Sequence, residues 1–413
     1  MKRLWRIGRV VAIGALRAWP AGAGAFQSEG TVRIGAMWAL SGPGAFFGKS
    51  SHGLASLAID EINEAGGLVV GGKRVKMQLY AEDDACNPEQ GLAVVRRLAT
   101  VDKVLFSLGP SCSSVAEPVF GTLQKRLDDP GDTGLQLLFF TDTATKFGLA
   151  KLSPWVFRNT PDEPAMYDFV VKYLKENYPD LKTVMVAYES DFAHSASTWK
   201  LALQPALERY KYHRVVEVVD WRWLVNEFGA QVAKLRRANA DIFFSLTHPA
   251  SACPSFRELR RQRVKPKIVV GVTSIASGEV LRQCPDVAEG LIAPSNFAPI
   301  TAKAKQVADK AWERYSADSH IHSVPAYENV HLMKVLIEKA GIKNTEESLL
   351  EDRRKVRDLL ARVGTFQGVV GKIKMNPDDH PVRPRDVDKD MILVQVKSAK
   401  WTVFWLPANL KQN

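Results

Sequence analysis

Ser113 has the clearest chemical opportunity in this 413-residue chain. It follows Cys112 at the mouth of a predicted helix. A hydroxyl there either caps the helix or joins the first free backbone N–H groups in holding a carboxylate. The turn Thr141-Asp142-Thr143-Ala144-Thr145 is a second cluster of hydroxyls, which serve local backbone or face a ligand. A third place is Ser41-Gly42-Pro43-Gly44, which leaves one predicted strand and enters a helix. Open α/β sheets bind ligands at such junctions, and free N–H groups there favour an anion. Trp38 closes the strand before that loop and either packs in the core or walls a site.

Other spacings carry less. Gly42-x-Gly44-x-x-x-Gly48 misses a dinucleotide fingerprint by one position, and no acid closes the second strand. His320-x-His322 is read as surface histidines in a polar interhelical loop, without the further ligands of a metal site. No G-x-S-x-G elbow, H-E-x-x-H pair or P-loop occurs. Neither catalysis nor a cofactor nor a metal is therefore expected.

The elements that must hold these residues alternate. Val32, Ile34 and Ala36 mark a strand, and Leu54, Leu57, Ala58, Ile62 and Ala65 follow at helical spacing up to a Gly66-Gly67 stop. Apolar runs at 104–108, 135–140, 184–188, 215–219, 242–246 and 268–272 read as buried strands. Helices are expected over 89–99, 115–127, 165–177, 196–210, 228–238, 302–315, 326–339 and 349–363. Repeated strand–helix units imply parallel sheets with right-handed crossovers. The series occurs twice, around the Pro-flanked stretch from Ser153 to Pro161. After residue 371 the alternation changes to that of antiparallel strands.

Composition is that of an ordinary globular protein, 46% hydrophobic and 24% charged. Lys2, Arg3, Arg6, Arg9 and Arg17 contribute five of the eleven net positive charges. The remaining excess is scattered in short pairs, read as solvated helix faces, so no nucleic-acid partner is expected. Residues 1–25 read as a secretory signal: basic Lys2–Arg9, apolar Val10–Leu16, then Ala23-Gly24-Ala25 for cleavage. A soluble, extracytoplasmic protein follows. Four cysteines suit that compartment. Cys86 and Cys112 follow neighbouring strands, so a disulfide is geometrically reasonable. Cys253 and Cys284 either pair or stay as buried thiols.

Taken in order, four stretches resemble the type I periplasmic binding proteins of ABC importers, in the leucine/isoleucine/valine-binding branch. They are 34–48; Asp83–Pro88 with Gly109–Ser114; 141–145; and Phe366–Ile373 with Val394–Lys397. The resemblance implies two Rossmann-like lobes joined by three crossovers, near 155–161, 293–299 and 366–373. The lobes would be 31–157 with 295–365, and 158–294 with 366–413. It implies a small carboxylate or amino-acid-like ligand in the cleft, delivered to a membrane permease, in the periplasm. The alternative is a sensor domain of the same fold. By similarity Ser113 holds the carboxylate, Ser111 is a further ligand-binding residue of the same loop, and Thr143 and Thr145 offer a carbonyl and a hydroxyl. Phe47 and Phe192 form aromatic walls, with Trp38 beside them. Thr247 and Thr273 stand where relatives have an aromatic and an ammonium-binding glutamate. A buried ammonium without a carboxylate is costly. The expected ligand is therefore an acid lacking the amine, unless Asp142 supplies the missing charge.

Overall fold

A computed structural model describes residues 30–160 and 162–411. The expected signal segment and Pro161 lie outside the described residues. Six strands form the first sheet: β1 (Thr31–Trp38), β2 (Leu68–Val70), β3 (Lys73–Asp83), β4 (Phe106–Leu108), β5 (Leu138–Thr141) and β6 (Val156–Arg158). Their order is β2-β3-β1-β4-β5-β6, parallel apart from the β2–β3 hairpin. Ile34 of β1 lies between Leu79 and Phe106, buried on both faces as its apolar neighbours dictate.

Helices α1 (Ala45–Glu64), α2 (Pro88–Thr100) and α3 (Ser113–Gly121) leave the carboxyl ends of these strands. Asn87 caps α2 by accepting the Gln90 N–H at 3.0 Å, and Pro88 opens its first turn. α1 ends in a Schellman motif: Gly67 N–H donates to Ile62 O at 2.8 Å and Gly66 N–H to Asn63 O at 3.1 Å. A Cβ on Gly67 would stand 2.1 Å from Val75 O, so the expected glycine stop is also a steric requirement. α3 is shorter than the predicted 115–127, because Leu123 leaves the helix to bridge Leu135. That bridge also delays the fifth strand to Leu138.

The second lobe carries α4 (Glu163–Asn177), α5 (Ala193–Ser197), α6 (Gln204–Tyr210), α7 (Gly229–Ala238), α8 (Pro249–Arg261) and α9 (Gly278–Gln283). Its strands are β7 (Thr183–Glu189), β8 (Arg214–Trp221), β9 (Ile242–Leu246), β10 (Ile268–Gly271) and β11 (Ile292–Ser295). Between α5 and α6 the helical path widens into a π segment, Thr198–Leu203, just before Pro205, which has no N–H to continue an α ladder. α10 (Ala302–Tyr315) and α11 (Val324–Ala340) return to pack on α1, and α12 (Leu349–Ala361) packs on α11.

The expected third crossover at Phe366–Ile373 is displaced. β12 (Thr365–Gln367), β13 (Lys372–Met375) and β14 (Val387–Asp388) form a small antiparallel sheet instead. Its inward residues Ile373, Met375 and Val387 join the first lobe's core. The chain crosses at 389–391, before β15 (Ile392–Lys397) and β16 (Lys400–Trp405). Those two complete the second sheet, ordered β16-β15-β11-β10-β9-β7-β8. Two disulfides, Cys86–Cys112 and Cys253–Cys284, each have Cα atoms 5.5 Å apart. Among the described residues no helix is long and apolar enough to cross a membrane.

Candidate functional site

The first-lobe side of the cleft is built by loops after β1, β4 and β5. Gly109 sits at φ +78°, and a Cβ there would meet Met37 O at 1.9 Å, so only glycine lets this loop cross β1. Ser111 Oγ accepts the Ala39 N–H at 3.1 Å and ties two loops together. Ser113 opens α3, and its Oγ accepts the Lys146 N–H at 3.1 Å, which brings Ser113 beside Thr145. An oxygen that is already accepting keeps its own hydrogen to donate. The first N–H groups of α3 have no carbonyl within the helix. The buried Arg158 guanidinium braces the same loop, donating to Thr145 O at 3.3 Å and Lys146 O at 2.6 Å.

Asp142 does not offer its charge to the cleft. Its carboxylate accepts the Gly109 N–H at 2.7 Å, the Thr143 hydroxyl at 2.7 Å and the Trp38 indole at 3.3 Å. Burial raises its pKa despite those donors. Trp38 is thereby a core brace of the first lobe, fully buried beside His52, rather than an aromatic wall. Thr143 turns to His322: its hydroxyl lies 3.0 Å from His322 O, and its own carbonyl lies 3.3 Å from His322 Nδ1.

Sequence reasoning missed the wall opposite. Glu163 Oε1 accepts from His194 Nε2 at 2.7 Å and from the Thr273 hydroxyl at 2.5 Å, while Oε2 accepts from Thr198 at 2.6 Å. Burial alone would raise the Glu163 pKa, but the His194 charge and these donors outweigh it and hold it low. His194 Nδ1 lies 3.0 Å from His248 Nε2, and His248 Nδ1 bonds the Glu189 carboxylate. With both carboxylates ionised, the three links of this Glu–His–His–Glu chain need three protons. Two neutral imidazoles bring two, so the rings share one more and the chain carries one net negative charge. The position of Thr273 is thus not without an acid: Glu163 reaches it from α4. Thr247 bonds Ser245 at 2.8 Å beneath this wall.

Aromatic rings join the two sides. Phe47, in the first turn of α1, stands 6.2 Å from the His248 ring and 5.8 Å from His322. Phe192 packs on His248 at 4.2 Å and belongs to the first lobe's apolar cluster, so both expected walls lie at the seam. His320 and His322 are not surface residues; they are 3% and 2% exposed, because the turn before α11 folds under Phe47. Beside the seam a cavity of about 1000 Å³ lies between Pro43, Phe46 and His52 of one lobe and Ala250, Glu279 and Arg282 of the other. No group of three or more His, Cys, Asp or Glu among the described residues could hold a metal.

Residues 31–400 match the family described as periplasmic binding protein. The chain belongs to this family. This periplasmic binding protein is 25% identical over 377 residues to the leucine-, isoleucine-, valine-, threonine- and alanine-binding protein of Pseudomonas aeruginosa, covering 90% of this chain and 91% of the other. It is 24% identical over 277 residues to the Leu/Ile/Val-binding protein of Escherichia coli K12, covering 66% and 70%. In fold it is similar to the branched-chain amino acid transporter substrate-binding protein LivJ of Streptococcus pneumoniae in complex with isoleucine, with TM-score 0.75, 21% identity and coverage of 91% and 100%. It is equally similar to a solute-binding protein of a Rhodopseudomonas palustris ABC transporter in complex with benzoate, with TM-score 0.75, 14% identity and coverage of 91% and 96%.

Proposed function

We propose that this protein captures a small organic carboxylate between its lobes, outside the cytoplasm, and hands it to the permease of an ABC importer. The observation that carries this reading is the polarity of the cleft. On the first lobe, Ser113, Thr145 and the α3 N-terminus form an anion-favouring corner, while the charge of Arg158 behind it is paired with the buried Asp386 carboxylate at 3.1 Å. On the second lobe the Glu163–His194–His248–Glu189 chain is net negative. A carboxylate is therefore drawn to the first side and repelled by the other, which orients the ligand. Phe47 and Phe192 supply apolar surface between them.

The net negative wall also attracts an α-ammonium, but the acceptors that would receive its protons are engaged. The Thr143 carbonyl is engaged by His322, and the Thr273 hydroxyl by Glu163, whose Oε1 already accepts twice. Relatives named for amino acids make leucine the decisive control. Calorimetric titration with leucine, valine, benzoate and 4-methylpentanoate tests the reading, together with mass spectrometry of any solute that co-purifies. Micromolar binding of an acid without an amine is expected, about −8 kcal/mol. Tight leucine binding with no response to the acids overturns it.

A further inference from the structure

Two buried ring nitrogens at the seam are left over once the mutual bonds of the cleft are drawn. The Thr143 carbonyl can only accept, so the His322 Nδ1 facing it at 3.3 Å carries the proton, and His322 Nε2 is a bare acceptor. The His322 backbone N–H can only donate, so the His320 Nδ1 at 3.2 Å accepts it, and His320 Nε2 carries the proton. The two neutral rings are thus opposite tautomers. Burial lowers both pKa values, His320 to about 4, which keeps each ring neutral at physiological pH. Neither Nε2 has a partner, although both are buried. The rings stand 6.2 Å apart, and both meet the edge of Phe47, at 6.4 and 5.8 Å. His322 also faces His194 of the other lobe at 6.2 Å.

We propose that His320 and His322 form a second polar subsite of the cleft that reads a hydroxyl on the bound acid. An ammonium only donates and would leave the His320 N–H unanswered. A carboxylate only accepts and would leave His322 Nε2 unanswered. A hydroxyl donates to His322 and accepts from His320 at once. A site with buried hydrogen-bonding groups rejects an analogue that leaves them unpaired far more strongly than an apolar pocket rejects an added group. The inference rests on the carboxylate reading above and narrows it to hydroxylated acids.

The test uses two pairs of probes on the purified protein freed of co-purifying solute: 4-hydroxybenzoate against benzoate, and 2-hydroxy-4-methylpentanoate against 4-methylpentanoate. Together they place the hydroxyl at either end of a ligand. In at least one pair the hydroxylated member is expected to bind about tenfold tighter or more. In His322→Phe that ratio falls to about one, while the parent acid changes by less than about threefold. His320→Phe lowers the ratio part-way. Should the variants not fold, ¹⁵N NMR of the wild-type histidines reads the same contact: His322 Nε2 shifts with the hydroxylated acid and not with its parent. Equal binding within both pairs overturns this inference alone, as does a preference that survives both variants. Failure of all four acids to bind overturns the carboxylate reading and this one with it.

Discussion

The Ser113 hydroxyl accepts from Lys146 and keeps one hydrogen to give, so its removal strips a donor from the anion corner and leaves the Lys146 N–H without its acceptor. Ser113→Ala is expected to weaken carboxylate binding about tenfold or more with only a small fall in melting temperature, since a hydrogen bond to a charged group contributes about 1.5–3 kcal/mol and the neutral bond to Lys146 about 1 kcal/mol. Calorimetry beside a thermal melt checks both halves; an unaltered affinity would make Ser113 a simple cap. His320 gives a pH prediction. Its pKa falls from 6.5 unfolded to about 4 folded, so the unfolded chain binds more protons between those values. Stability from this ring is complete above pH 6.5 and declines toward pH 4, by about 3 kcal/mol at pH 4. A melt series over that window should show a shallower acid slope for His320→Phe than for the wild type. Ser113, Phe47 and Phe192 were legible because a helix mouth and the family's loop order point at them. Glu163, Glu189, His194 and His248 were not. They come from three separate places in the chain, 163, 189–194 and 248, and only the docking of α4, α5 and α8 on one sheet edge makes them a proton-sharing chain.

Each lobe fastens its ligand loops with one disulfide, and the two bridges do different work. Cys112 is the residue before Ser113, so Cys86–Cys112 anchors the anion corner directly. Cys253 and Cys284 join α8 to the end of α9, holding the helix that begins after His248. The second bridge spans 31 residues, and its loss should cost roughly 4 kcal/mol in the chain-entropy account. A Cys253→Ala/Cys284→Ala pair is therefore expected to shift the urea midpoint strongly while affinity in native buffer holds. Cys86→Ala/Cys112→Ala should lower affinity several-fold as well, because the first turn of α3 loosens. Equal affinity losses in both pairs would contradict this division. Most strands and helices were legible from period alone, since buried parallel strands read as short apolar runs. The misses have local causes. Helix α3 stops early because Leu123 has a strand partner, and a π segment interrupts the predicted 196–210 helix just before Pro205. Both depend on contacts or geometry that helical spacing does not encode.

Two core-bearing lobes meet across one seam, and Glu328 gathers the strands that connect them. Its carboxylate accepts from Asn159 Nδ2 at 3.1 Å beside the first crossover, and from the Val369 N–H at 2.8 Å. It also bonds Lys389 Nζ at 2.8 Å, where the chain makes its last crossing. The sequence showed two series of strand–helix units and a first crossover near Trp155. It did not show that residues 365–388 stay with the first lobe, because alternating Ile373 and Met375 fit either core equally well. Only the register of β13 against β12 and β14 decides which core they enter. Glu328 and Lys389 are both nearly buried, so removing one charge strands the other at a cost of about 3–5 kcal/mol. That cost falls on the connection between the lobes rather than on either core or any ligand group. Glu328→Gln should therefore keep the two sheets and the anion corner intact but loosen the hinge. Small-angle scattering is expected to show a larger radius of gyration without ligand than the wild type, with partial recovery on adding the acid. Stopped-flow binding should show a faster off-rate at a nearly unchanged on-rate, since closure around the ligand limits its escape. An off-rate and radius identical to the wild type would mean that closure is governed by the seam residues alone, and that Glu328 only fills space.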